Sequence, residues 1–133
     1  SHNTTLARII KEELKCSDMD FYHINAANVR GIDSARIILE NMSLYPMNGL
    51  VKIYHYEESH QLTGPTQELL LDETEEPPDF VYFIFCTTEP TKLKKSFKRR
   101  GWQGETKNLT RGEMTSLIKS VLNKELEGAD FFR

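Results

Sequence analysis

Val51-Lys52-Ile53-Tyr54-His55-Tyr56-Glu57-Glu58-Ser59-His60 and Phe80-Val81-Tyr82-Phe83-Ile84-Phe85-Cys86-Thr87-Thr88-Glu89-Pro90 decide the fold. Each is an apolar run rich in β-branched and aromatic residues, and each delivers polar residues at its C-terminal end. Open α/β sheets build ligand sites beyond such strand ends. Unbroken apolarity from Phe80 to Cys86 suits a strand covered by helices on both faces, which predicts a central strand. Between the two runs, Thr63-Gly64-Pro65 sets a proline in a first helical turn, Leu69, Leu70 and Leu71 pack that helix, and Pro77-Pro78 stops it.

Outward from these strands, Leu6, Ile9, Ile10 and Leu14 fall at helical spacing and predict an amphipathic helix over Thr4–Leu14. Asp20 to Asn25 reads as a short strand, and Ala26 to Gly31 as a turn. Asp33 is expected to cap a second helix carrying Ala35, Ile37, Ile38, Leu39 and Met42, which Pro46 to Gly49 terminates. Thr110-Arg111-Gly112-Glu113 has capping-box spacing and opens a last helix with Met114, Leu117, Ile118, Val121 and Leu122. Helices alternating with strands predict an α/β fold with a parallel sheet in three αβα layers.

The 133 residues, 38% of them hydrophobic, suffice for one domain with a core. A net charge of −3 and a pI near 5.8 argue against binding nucleic acid through overall charge, so any DNA contact needs a local patch. The acidic run Asp72, Glu73, Glu75, Glu76 and Asp79 would repel a phosphate backbone. Cys16 and Cys86 offer neither a disulfide framework nor zinc spacing, which points to a reducing cytoplasm. No apolar run approaches the ~20 residues that span a bilayer. The opening Ser1-His2 in place of Met suggests a tag residue or processing, and a piece of a longer chain.

In this order the segments resemble the AAA+ ATPase core of replication clamp-loader subunits, of the DNA polymerase III gamma/tau or replication factor C small-subunit kind. The resemblance runs from Thr4-Thr5-Leu6-Ala7-Arg8-Ile9-Ile10, through Ile24-Asn25-Ala26-Ala27-Asn28-Val29-Arg30-Gly31-Ile32-Asp33, to the final helix. It implies a P-loop NTPase fold with a nucleotide-binding core over 1–102 and the start of a helical lid over 103–133. Thr4 and Thr5 correspond to residues that follow the phosphate loop, and Asn3 stands where the loop lysine belongs. The first strand and the phosphate loop are thus expected to be missing, by truncation or as a natural remnant, leaving a sheet edge open to association.

The resemblance also implies ATP and magnesium as cofactors. Glu57 takes the place of the residue that helps hold magnesium, Glu58 of the one that orients the attacking water, and Thr87 or Thr88 of the γ-phosphate sensor. Arg100, ending the basic stretch from Lys92, matches an arginine that acts in trans on a neighbouring subunit's ATP site. The implied function is ATP-driven loading of the sliding clamp onto primed DNA, in an oligomer with other clamp-loader subunits and with no membrane role. The isolated chain is expected not to hydrolyse ATP, and a catalytically silent ring member donating Arg100 is the alternative.

Read without the resemblance, Glu57-Glu58 is a solvated turn, Thr87-Thr88 a strand ending, and the basic stretch a solvated helix face. His55 is expected to be hydrogen-bonded or edge-facing, and His60, lacking a partner at metal spacing, makes no metal site. The apolar end Ala129-Asp130-Phe131-Phe132-Arg133 is expected to dock on a partner or on the domain itself.

Overall fold

Three strands, β1 (Phe21–Asn25), β2 (Lys52–Glu57) and β3 (Val81–Phe85), form a parallel sheet in the order β1-β2-β3. This computed structural model describes residues 2–93, 102–103, 109–125 and 131–132. The register pairs His23 with His55 and Asn25 with Glu57 across β1 and β2, and Tyr54 with Phe83 and Tyr56 with Phe85 across β2 and β3.

Alternation along β2 sorts the core into two layers. Ile53 packs with Ile84 and with Leu6, Ile9 and Ile10 of α1 (His2–Glu13) and Met114 and Ile118 of α4 (Arg111–Glu125). Tyr54 and Tyr56 face the other way, with Phe83 and Phe85, onto Ala35 of α2 (Ile32–Met42) and Leu70 and Leu71 of α3 (Gly64–Glu73). On that face Tyr54 is stacked between Tyr22 at 4.8 Å and Phe83 at 5.1 Å, a cross-strand ladder. The segment expected to begin a lid packs in this structure against α1 through α4.

Several expectations change in detail. β2, not β3, is central among the described strands, because unbroken apolarity reports cover on both faces, which β3 has, and says nothing of hydrogen-bonding neighbours. Asp33 lies inside the first turn of α2, whose N-cap is Gly31, and its carboxylate faces Arg36 at 3.4 Å. Two short strands had no readable period: β4 (Trp102–Gln103) pairs in parallel with β5 (Phe131–Phe132), and β5 lies against β3. The capping box of α4 is reciprocal, with the Glu113 amide donating to Thr110 Oγ1 at 3.2 Å and the Thr110 amide to Glu113 Oε1 at 3.1 Å. Cys16 and Cys86 are free and buried, and burial pushes the Cys16 thiol up to about 11.

Asp20, fully buried just before β1, holds the connection between α2 and β2. Its carboxylate accepts from the amides of Met47 (2.6 Å), Asn48 (3.0 Å) and Gly49 (2.8 Å) and from the Ser17 hydroxyl (2.8 Å). Gly49 leaves little room there: an added Cβ would sit 3.1 Å from the Ser17 amide nitrogen and 3.3 Å from the carboxylate, so a neighbour would have to give by a few tenths of an ångström. Burial would raise the Asp20 pKa, but these four donors outweigh it and hold the group below the ordinary carboxylate range. Lys52, also buried, donates to the carbonyls of Asn41 and Leu44 and lies over the Tyr22 and Tyr54 rings.

Asp20→Ala is expected to cost about 2 kcal/mol at neutral pH in denaturant unfolding, because it removes four hydrogen bonds to one buried carboxylate. The folded pKa lies below the unfolded one, so this stabilisation is present above the unfolded value and is lost as pH falls through the folded value. The gap between wild type and variant should therefore narrow in acid; a constant gap would contradict the assignment.

Candidate functional site

The parallel register brings the C-terminal ends of β2 and β3 together. The Cys86 amide donates to the Tyr56 carbonyl at 2.8 Å and the Ser59 amide to the Cys86 carbonyl at 2.9 Å, so pairing continues past both strands. On this edge stand Glu58, His60, Thr87, Thr88 and Glu89.

His60 is the hub, with its side chain only 3% exposed. Its Nδ1 lies 2.8 Å from Thr87 Oγ1, and its Nε2 lies 3.0 Å from Glu89 Oε2 and 3.7 Å from Glu58 Oε2. Buried Thr87 accepts from the Glu89 amide at 3.0 Å, and the same hydroxyl shares a hydrogen bond with His60 Nδ1. The two carboxylates beside Nε2 favour a proton there, while the Gln61 side-chain amide, 3.4 Å away, competes as a donor to the same nitrogen. The Thr88 hydroxyl donates to Glu58 Oε1 at 3.4 Å. Lys92, 2.9 Å from Glu89, holds that carboxyl below the usual range, with the nearby His60 adding to the effect.

Glu58 occupies the left-handed region at φ 55°, ψ 45°, unusual for a residue with a side chain. This conformation turns the chain at the strand end and separates two neighbouring carboxylates. Glu58 faces the edge cluster, whereas Glu57 meets His23 Nε2 at 3.1 Å. The Glu58 and Thr88 oxygens offer donors suited to magnesium. Glu57 does not: it belongs to a group with His23 and His55 whose ligand atoms lie within 4.8 Å of one another, a nitrogen-rich set that magnesium avoids. The Glu57 carboxylate points to His23 rather than toward Glu58 and Thr88.

His55 also departs from expectation. It is 2% exposed on the central strand, burial lowers its pKa to about 4 with His23 adding to the shift, and its Nε2 has no hydrogen-bond partner. Of the other expected site residues, Thr5 lies half-buried in the first turns of α1, Thr4 is placed there by its backbone alone, and Arg100 lies outside the described residues. Sequence reasoning missed Glu89 and His23. Glu89 stands directly after the Thr87-Thr88 pair, but His23 becomes visible only when strand register is known.

No family model matches the chain. It is 32% identical to the DNA polymerase III subunit tau of Escherichia coli over 107 residues, covering 80% of this chain and 17% of that protein. It is 30% identical to the gamma/tau subunit of Mycoplasma pneumoniae over 142 aligned positions, 92% of this chain and 21% of that one. It is 29% identical to the gamma subunit of Buchnera aphidicola from Baizongia pistaciae, covering 92% of this chain and 39% of that subunit. This chain is a relative of the DNA polymerase III gamma/tau subunits. A crystal structure of a gamma-subunit-related protein from Thermotoga maritima superposes with a TM-score of 0.56 at 17% identity, over 96% of this chain and 57% of that one. The gamma/tau relative thus has the α/β fold of the clamp-loader AAA+ type, and it spans about two fifths or less of the length of these curated relatives. Among its described residues no helix is long and apolar enough to cross a membrane.

Glu58→Gly should raise stability by up to about 1 kcal/mol in denaturant unfolding, because glycine relieves the left-handed backbone at some cost in unfolded-state entropy. A loss of stability would mean that the carboxylate's contacts outweigh the strain.

Proposed function

We propose that this chain is a clamp-loader-like AAA+ subunit that takes part in ATP-driven loading of a sliding clamp onto primed DNA. The observation that carries the reading is the convergence of Glu58, His60, Thr87 and Thr88 on one C-terminal sheet edge, where open α/β sheets take nucleotides. Its support is the kinship with gamma/tau subunits.

In this reading residues 1–102 form the nucleotide core and 103–133 the start of a lid, within a cytoplasmic oligomer of clamp-loader subunits. Bound ATP with magnesium supplies the phosphoanhydride to be cleaved. Glu58 orients water, and Thr88, sharing a hydrogen bond with Glu58, reports on the terminal phosphate together with Thr87. Thr4 and Thr5 lie at the helix start that faces phosphate in this class of fold. Arg100 stabilises charge in a neighbour's site.

One observation favours a silent ring member that donates Arg100 without turning over ATP itself: the Glu57 carboxylate is engaged by His23. The test is ATP turnover by the chain alone and mixed with gamma/tau-type subunits, sliding clamp and primed DNA. Alone, the chain should release phosphate no faster than its Glu58→Gln variant. In the mixture it should raise turnover, and Arg100→Ala should remove the increase. Sensitivity to Glu58→Gln in the mixture assigns an active subunit, and insensitivity the silent one. A chain that neither joins the assembly nor changes its turnover overturns the proposal.

A further inference from the structure

The face of the sheet beneath α1 carries a group that the edge cluster does not use. Strand register sets His23 directly beside His55, and Glu57 follows two residues later on the same side of β2. The imidazole centroids lie 5.1 Å apart with the rings tilted by 33°, and Glu57 Oε2 is 3.1 Å from His23 Nε2. His23 and His55 open on a cavity of about 210 Å³, lined also by Phe21 and by Ala7, Arg8 and Lys11 of α1.

A buried polar atom without a partner is rare and asks for a cause. His55 Nε2 is such an atom, on a side chain that is 2% exposed. The sequence spends a histidine at a position where Ile53 and Ile84 on the same face show that an aliphatic residue would pack. A bound cation accounts for the orphan nitrogen and for the carboxylate gathered beside two imidazoles.

We propose that His23, His55 and Glu57 bind a zinc-class divalent transition metal, with the cavity supplying an open fourth position. Two imidazoles and one carboxylate with a vacant site is a recognised zinc ligand set, and imidazole selects zinc, nickel, copper or iron over magnesium and calcium. Bonds of 2.0–2.1 Å at tetrahedral angles bring ligand atoms to about 3.3 Å of one another. The His23–Glu57 pair already meets that spacing; the trio, spread over 4.8 Å, closes by side-chain rotation of half-exposed His23. Arg8 and Lys11 oppose a bare cation, although Lys11 is paired with Asp18. Their charges favour an anionic fourth ligand, such as chloride, hydroxide or a carboxylate, in the open position.

The test needs no nucleotide. Zinc is titrated calorimetrically into the metal-stripped 133-residue chain, and cobalt is substituted to read coordination from its visible absorption bands. One equivalent should bind, with tetrahedral cobalt bands. His23→Gln should weaken binding by more than the ~10–100-fold that loss of a mere outer-shell partner costs, and His55→Leu and Glu57→Gln should do likewise. His2→Ala and His60→Gln should bind as wild type does. His23 is exposed, so its variant decides the matter should His55→Leu fail to fold. Absence of stoichiometric binding, binding indifferent to His23→Gln, or binding lost with His2 or His60 instead, overturns the proposal.

Discussion

The arrangement depends on the hydrogen bonds that carry β2–β3 pairing beyond the ends of both strands, from the Cys86 amide to the Tyr56 carbonyl and from the Ser59 amide to the Cys86 carbonyl. Parallel strands run out at one edge of the sheet, and whatever side chains follow them are delivered together. These two bonds fix Thr87 and His60 at adjacent heights and let the imidazole nitrogens reach a hydroxyl on one side and carboxylates on the other. An unsatisfied amide at this buried depth would be costly, and both amides are paired.

A single residue in the left-handed region converts this rigid edge into two chemical environments. Consecutive side chains on a strand already point to opposite faces, and Glu58 adds a turn in the chain. Glu57 joins imidazoles beneath α1, while Glu58 joins hydroxyls and His60 at the edge. An acidic pair that looks like one site in the sequence is two sites in space. The separation lets an oxygen-rich set and a nitrogen-rich set coexist a residue apart, each suited to a different class of cation.

Much of this was legible beforehand. The apolar strands, the proline-led α3 and the reciprocal Thr110–Glu113 cap follow from local rules of period and capping, and the structure obeys them. Kinship with clamp loaders was legible because it rests on the order of whole segments. What escaped was set by contacts distant in sequence. His23 and His55 meet only through register, Asp20 gathers amides more than 25 residues away, and β3 takes its place in the sheet from pairing partners that its own apolarity does not encode. The direction of the Glu57 carboxylate was hidden for the same reason.

The division of the acidic pair is tested most directly by long-range proton–nitrogen NMR of the histidine rings in wild type, Glu57→Gln and Glu89→Gln. The expected result is a His60 ring protonated on Nε2 whose signals move in Glu89→Gln and stay fixed in Glu57→Gln, with His23 showing the reverse. A His60 ring that responds to Glu57→Gln, or a His23 ring indifferent to it, would contradict the account.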